Sequence, residues 1–168
     1  KYFLKNKFNE KLINICEKKI GSDFRLFLNN RSFQKKLGKV FKTKNNIHSS
    51  IIIVFPNIYC KTKNIYNIVK HFSLSTGNHY LKKTDKKNFI KTIKNDQNDL
   101  QKVVEKKYLK ISALIKSIKK QEGCVFSRMT GSGSACYGVF ESKKSAKFAK
   151  TKLKRKYPKY WCVITKTI

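Results

Sequence analysis

The chain has 168 residues, 40% of them hydrophobic and 12% aromatic, enough to bury one core or one core and part of a second, which excludes a disordered segment. Its formal charge of +31 rests on 36 lysines and 4 arginines, and a field of that size attracts phosphate backbones. The lysines are spread over nearly every segment, however, and Arg, the side chain that forks onto phosphates and guanine edges, is scarce. A solvated lysine surface is the expected reading, with a nucleic-acid face as the alternative.

Five cysteines, Cys16, Cys60, Cys124, Cys136 and Cys162, are an odd number with no C-x-x-C pair, and three histidines accompany them. Neither a disulfide frame nor a metal site is signalled. Each cysteine has apolar neighbours and is expected as a small buried hydrophobe in a reducing, cytoplasmic setting. The longest apolar run, residues 51–55, falls far short of the ~20 residues that span a bilayer, so a soluble protein without a membrane partner is expected. The chain opens on Lys1 and enters a helical pattern almost at once, so its natural start is expected upstream.

In chain order, Phe8, Leu12, Ile13, Cys16 and Ile20 recur at helical spacing, predicting a helix over 8–19 that Gly21 stops. Residues 22–27 read as a loop leading into extended structure. The β-branched run Ile51-Ile52-Ile53-Val54-Phe55, bounded by Pro56, predicts a buried strand. Helices are expected over 63–72 and 86–94. One long helix is expected from the Asn98-Asp99 cap, with Leu100, Val103, Val104, Tyr108, Ile111, Leu114, Ile115 and Ile118 on one face. Strands over 125–129 and 136–141, a helix over 144–154 and a strand over 160–166 complete an α+β sandwich, a sheet with helices on one face. A domain boundary is expected near Ile47, dividing 1–47 from 48–168.

The most informative segment is Arg128-Met129-Thr130-Gly131-Ser132-Gly133-Ser134-Ala135-Cys136-Tyr137-Gly138-Val139-Phe140. Two glycines and three hydroxyl residues between two strands let the backbone turn tightly and aim N–H and O–H donors into one concavity, which suits an anion. A ligand-free Gly-Ser hairpin is the plainer alternative. The segment lacks the G-K-[ST] ending of a Walker A loop and the third glycine of a dinucleotide fingerprint.

This segment resembles the third motif of the GHMP kinases, in the form R-M-[ST]-G-S-G-[AS]-x-C-[FY]-G-[LV]-F found in the branch acting on a cytidine-diphosphate-linked methylerythritol. Other stretches fit in order: Lys18-Lys19-Ile20-Gly21-Ser22-Asp23 resembles K-L-G-[AS]-D, Val54-Phe55-Pro56 a strand ending in V-x-P, residues 62–66 the S-T-x-x-V-F run, Asn98-Asp99-Leu100 the N-D-L run, and Trp161-Cys162-Val163 the closing strand. The resemblance implies a GHMP-kinase C-terminal domain of ferredoxin-like architecture over 48–168, with a remnant of the N-terminal ATP-binding domain before it. It implies a small-molecule kinase using ATP and Mg2+, with phosphoryl transfer to a hydroxyl. Another GHMP small-molecule kinase, or a non-catalytic basic nucleic-acid-binding domain, stands as the alternative.

Carried over residue by residue, the resemblance implies that Asp23 is the catalytic aspartate, that Tyr66 stacks on the cytosine ring with Thr62 one helical turn before it, and that Thr130, Gly131, Ser132 and Gly133 form the phosphate loop. Asn98 reads as a cap and packing marker. Three departures stand out: Phe24-Arg25-Leu26-Phe27 replaces V-P-F-F and offers Arg25 as a partner for Asp23, Lys36-Leu37-Gly38-Lys39 replaces G-[IV]-G-E, and Asn57 replaces a glycine after Pro56. The sequence shown contains no P-x-x-x-G-L-G-G-G-S-S segment, so this polypeptide alone is expected not to turn over ATP.

Overall fold

The structure, a computed structural model, describes residues 9–28, 32–36, 39–43, 47–73 and 82–167. Described residues of the stretches Lys1–Asn46 and Ser75–Lys86 form one compact unit, and those of Ile47–Leu74 and Lys87–Thr167 form another.

In the first unit, helix α1 (Glu10–Ile20) begins where Asn9 accepts a bond from Leu12 N at 3.0 Å and ends where Gly21 N reaches Glu17 O at 3.0 Å. Residues expected as a loop form a 3-10 helix, Ser22–Leu28. The reason is tertiary. Arg25 folds back onto α1, its Nε 2.8 Å from Glu17 Oε2, its Nη1 3.1 Å from Glu10 Oε2 and its Nη2 on Asn14 Oδ1, and Phe24 N bonds Gly21 O at 3.1 Å. Glu10, Asn14 and Glu17 recur at helical spacing, so a single guanidinium meets all three. Strands β1 (Ser32–Lys36) and β2 (Lys39–Lys42) pair antiparallel with an irregularity between Gln34 and Lys36. In the Lys36-Leu37-Gly38-Lys39 run, Leu37 and Gly38 lie outside the described residues.

The second unit is built on β3 (Ser50–Phe55), β4 (Cys124–Met129), β5 (Cys136–Phe140) and β6 (Trp161–Lys166), an antiparallel sheet in the order β4-β5-β3-β6. Alternation along β3 turns Ile52 and Val54 into a core shared with Met129, Cys136 and Phe140. Helices α4 (Asp99–Lys107), α5 (Leu109–Lys119) and α6 (Lys143–Lys156) cover that face with Leu100 and Val104, Ile111, Leu114 and Ile118, and Ala146, Ala149 and Leu153. This is the α+β arrangement expected, and the predicted strands lie within a residue or two of those seen. Helix α3 (Lys86–Asn95) also stands where a helix is expected.

Two further expectations are corrected. The helix expected over 63–72 is only α2 (Thr62–Tyr66), which relaxes into i→i+3 turns, Ile68 N on Ile65 O and Val69 N on Tyr66 O. Asn67, Ile68 and Val69 are weak helix formers, and Ile65 and Val69 reach the core without further helix. The single helix expected from Asn98 is two helices meeting at Tyr108, whose φ of −127° and ψ of 83° are non-helical. Tyr108 N caps α4 on Val104 O at 2.8 Å while Tyr108 O receives Ile111 N at 2.9 Å. A straight helix of 20 residues would run about 30 Å; the break keeps both apolar faces, and part of the Tyr108 ring, on one core. No helix among the described residues is long and apolar enough to cross a membrane.

Candidate substrate and phosphate site

The turn between β4 and β5 is closed by Thr130 N on Ala135 O at 2.9 Å and Gly133 N on Thr130 O at 3.1 Å. Gly131 (φ 53°) and Gly133 (φ 91°) take backbone conformations that L side chains rarely adopt. A Cβ at Gly133 would also stand 2.8 Å from Met129 Sδ and 3.4 Å from Cys60 Sγ. The glycines therefore set the turn, and one of them also clears space.

Thr62 and Ser132, far apart in sequence, come together: Thr62 Oγ1 lies 2.9 Å from Ser132 Oγ. The first residue of α2 is thereby tied to the tip of the glycine loop. At the other end of α2, Tyr66 is half exposed, its ring centroid 6.1 Å from that of Phe72 at an interplanar angle of 31°. Phe72 is itself more than half exposed. The pair presents aromatic surface to solvent, so Tyr66 is not spent in the core, the plainer role for one aromatic on a helix. No local pattern singles out Phe72.

Three side chains outside the predicted set brace the loop from the α3–α4 junction. Asn98 Nδ2 donates to Met129 O at 3.1 Å and to Gly131 O at 2.8 Å, while its Oδ1 accepts from Leu100 N at 3.1 Å. Gln101 Oε1 accepts from Met129 N at 2.9 Å. In the opposite direction, Arg128 Nη2 donates to Ile93 O at 3.1 Å and also meets the carbonyl of Asp96. Apart from the local Asn98–Leu100 cap, sequence separation hid these bonds, because each joins a side chain to a backbone group about 30 positions away.

Asp23 belongs to the first unit, exposed on the 3-10 helix that follows Gly21. Arg25, the charge that replaces a proline of the motif, is held by Glu17, Glu10 and Asn14, and the hydrogen bond to Glu17 above all raises its pKa further. Near the glycine loop, burial pushes the Cys136 thiol up to about 12 and raises that of Cys60, favouring the protonated form. Cys124 is likewise pushed up to about 11. Cys60 and Cys136 are the small buried hydrophobes expected, whereas Cys16, Cys124 and Cys162 are only partly buried.

Among the described residues no group of three or more His, Cys, Asp or Glu comes together to hold a metal. A separate groove of about 760 Å³ runs beside the start of α6, with Glu122, Glu141, Lys144 and Phe148 on its walls. It contains none of the predicted site residues, and the chemistry described above lies elsewhere.

Residues 78–159 match the family model described as GHMP kinases C terminal. The chain is 36% identical over 131 residues to the 4-diphosphocytidyl-2-C-methyl-D-erythritol kinase of Pelagibacter ubique, covering 78% of this chain and 46% of that protein. It is 28% identical over 165 residues to the kinase of the same name from Anaplasma phagocytophilum, covering 95% of this chain and 55% of the relative. Among solved structures, a 4-(cytidine 5'-diphospho)-2C-methyl-D-erythritol kinase superposes with a TM-score of 0.69 at 19% identity, over 88% of this chain and 54% of that one, a likeness of fold. The chain thus spans about half the length of the curated relatives it matches.

Proposed function

With residues 78–159 belonging to the GHMP kinase C-terminal domains, we propose that this chain serves the ATP-dependent phosphorylation of the 2-hydroxyl of 4-diphosphocytidyl-2-C-methyl-D-erythritol, a step of the non-mevalonate isoprenoid route. In this reading residues 1–47 belong to the nucleotide-binding half and 48–168 to the C-terminal domain. The observation that carries the proposal is the 2.9 Å bond between Thr62 and Ser132. It joins the helix bearing Tyr66 to the glycine loop, so that a base stacked on Tyr66 and a phosphate received at Thr130 to Gly133 are presented by adjoining elements. Relatives that bear this kinase name support the choice of substrate.

Each group then has a chemical task. The cytosine face stacks on Tyr66, an interaction worth about 1–3 kcal/mol per base. Thr62, Thr130 and Ser132 offer hydroxyls, and the loop offers N–H donors where negative charge accumulates during transfer. Asp23 accepts the proton of the attacking hydroxyl, and the γ-phosphoryl group moves in line from ATP to that oxygen, leaving ADP. A Mg2+ ion arriving with ATP would neutralise charge on the transferring phosphates, and among the described residues no group of three or more His, Cys, Asp or Glu would hold it.

Binding of cytidine diphosphate by calorimetry tests the reading without requiring turnover. Tyr66→Ala is expected to weaken binding about tenfold or more, and Tyr66→Phe, which keeps the ring face, to stay within about twofold of wild type. Equal loss in both variants, or a wild-type chain that binds pyrophosphate as well as cytidine diphosphate, would overturn base stacking at Tyr66.

A further inference from the structure

Capping a helix asks only for an acceptor. Asn, Asp and Ser serve almost equally well at that position. Asn98 does more, because its amide also carries two hydrogens and both are used, on Met129 O and Gly131 O, while Oδ1 caps α4 through Leu100 N. Two carbonyl oxygens can be met only by a donor, so the orientation of the amide is fixed. Neither Asp nor Ser can make all three bonds.

The consequence reaches the tip of the loop. In a trans peptide the C=O of one residue and the N–H of the next point in opposite directions. Holding Gly131 O against Asn98 therefore aims Ser132 N–H away from α4. The same residue's hydroxyl meets Thr62. Gly131 is exposed and its left-handed φ of 53° leaves the loop without a side chain of its own to hold that peptide plane. That plane is set from outside by Asn98 at the tip, while Gln101 on Met129 N holds the root of the loop.

We propose that Asn98 is a positioning residue: its amide holds the 130–133 loop in the conformation that turns donors, rather than carbonyl oxygens, toward a phosphate. The inference rests on the phosphate role given to that loop above. Without the amide, the Gly131 carbonyl is free to rotate into the anion's place. Asn98 touches no reacting atom in this scheme, and its effect passes through Ser132 and Gly131.

Two variants separate this role from capping. Asn98→Asp keeps the acceptor for Leu100 N and suits a helix N-terminus, but sets a carboxylate against two carbonyl oxygens. Asn98→Ser keeps a cap without the amide and without that repulsion. Amide hydrogen exchange in the full chain is expected to speed up about tenfold at Thr130 and Gly133, the amides that close the turn, with α4 unchanged, and more in Asn98→Asp than in Asn98→Ser. Affinity for cytidine diphosphate and for pyrophosphate is expected to fall about tenfold in the same order. Unchanged exchange at Thr130 and Gly133 in both variants overturns the proposal whatever the ligand does, as does faster exchange with unaltered affinity. If wild type binds neither probe, the phosphate reading of the loop and the inference resting on it fail together, and the exchange data then tell only whether the brace exists.

Discussion

Gly131 and Gly133 sit two positions apart in one turn and take left-handed backbone, yet they are glycine for different reasons. A Cβ at Gly131 would meet nothing within 4 Å, whereas one at Gly133 would crowd Met129 Sδ at 2.8 Å. Gly131→Ala is expected to cost about 1 kcal/mol, the left-handed penalty alone, and Gly133→Ala about 2–3 kcal/mol, because buried Met129 must also move. Urea unfolding measures the difference, and equal costs would show that space plays no part. Asn57 makes the converse case. It stands where the motif has glycine, at a φ of 54°, and Asn is among the few other residues that tolerate that region. The departure keeps the turn, and Asn57 Nδ2 adds a bond to Lys159 O at 3.3 Å.

Among the elements, those whose ends are written in local chemistry were readable. α1 stops at Gly21, and α6 starts at Ser142, which accepts from Ser145 N at 3.0 Å while Ser145 Oγ receives Ser142 N at 3.3 Å. That reciprocal box predicts that Ser142→Ala lowers stability by about 1 kcal/mol and that Ser142→Asp recovers most of it, by thermal or urea unfolding. A loss of similar size in both would mean that the cap is not what Ser142 contributes. Where an element end depends on tertiary contacts, the pattern misleads. Nothing in the local sequence breaks a helix at Tyr108, and its apolar face continues unbroken from Leu100 to Ile118. The break comes from the need to lay both halves on one core. The 3-10 helix after Gly21 is similar, for it is held by Arg25 reaching Glu10, Asn14 and Glu17 across 15, 11 and 8 positions.

At the scale of the whole molecule, a net charge of +31 works against folding, since compaction brings like charges closer. The thermal midpoint is expected to rise by several degrees as NaCl goes from about 10 mM, with a screening length near 30 Å, to about 0.15 M, where it is near 8 Å. A midpoint that falls instead would mean that attractive pairs such as Arg25 with Glu17 outweigh the repulsion. By itself the sequence determined the class of fold, the four strands of the larger sheet, the presence of most of the helices and the glycine turn. Each of these follows from periodicity, capping or backbone conformation, which act within a few residues. It also carried the family resemblance, through motifs whose order and spacing survive in a chain rich in lysine. Only the tertiary structure decided that Thr62 meets Ser132, that Tyr66 shares its exposed face with Phe72, and that Asn98 holds the loop rather than merely capping α4. Those contacts join residues that are distant in the chain or lie across a turn. Their geometry depends on how the sheet and its helices stack, which no local pattern encodes.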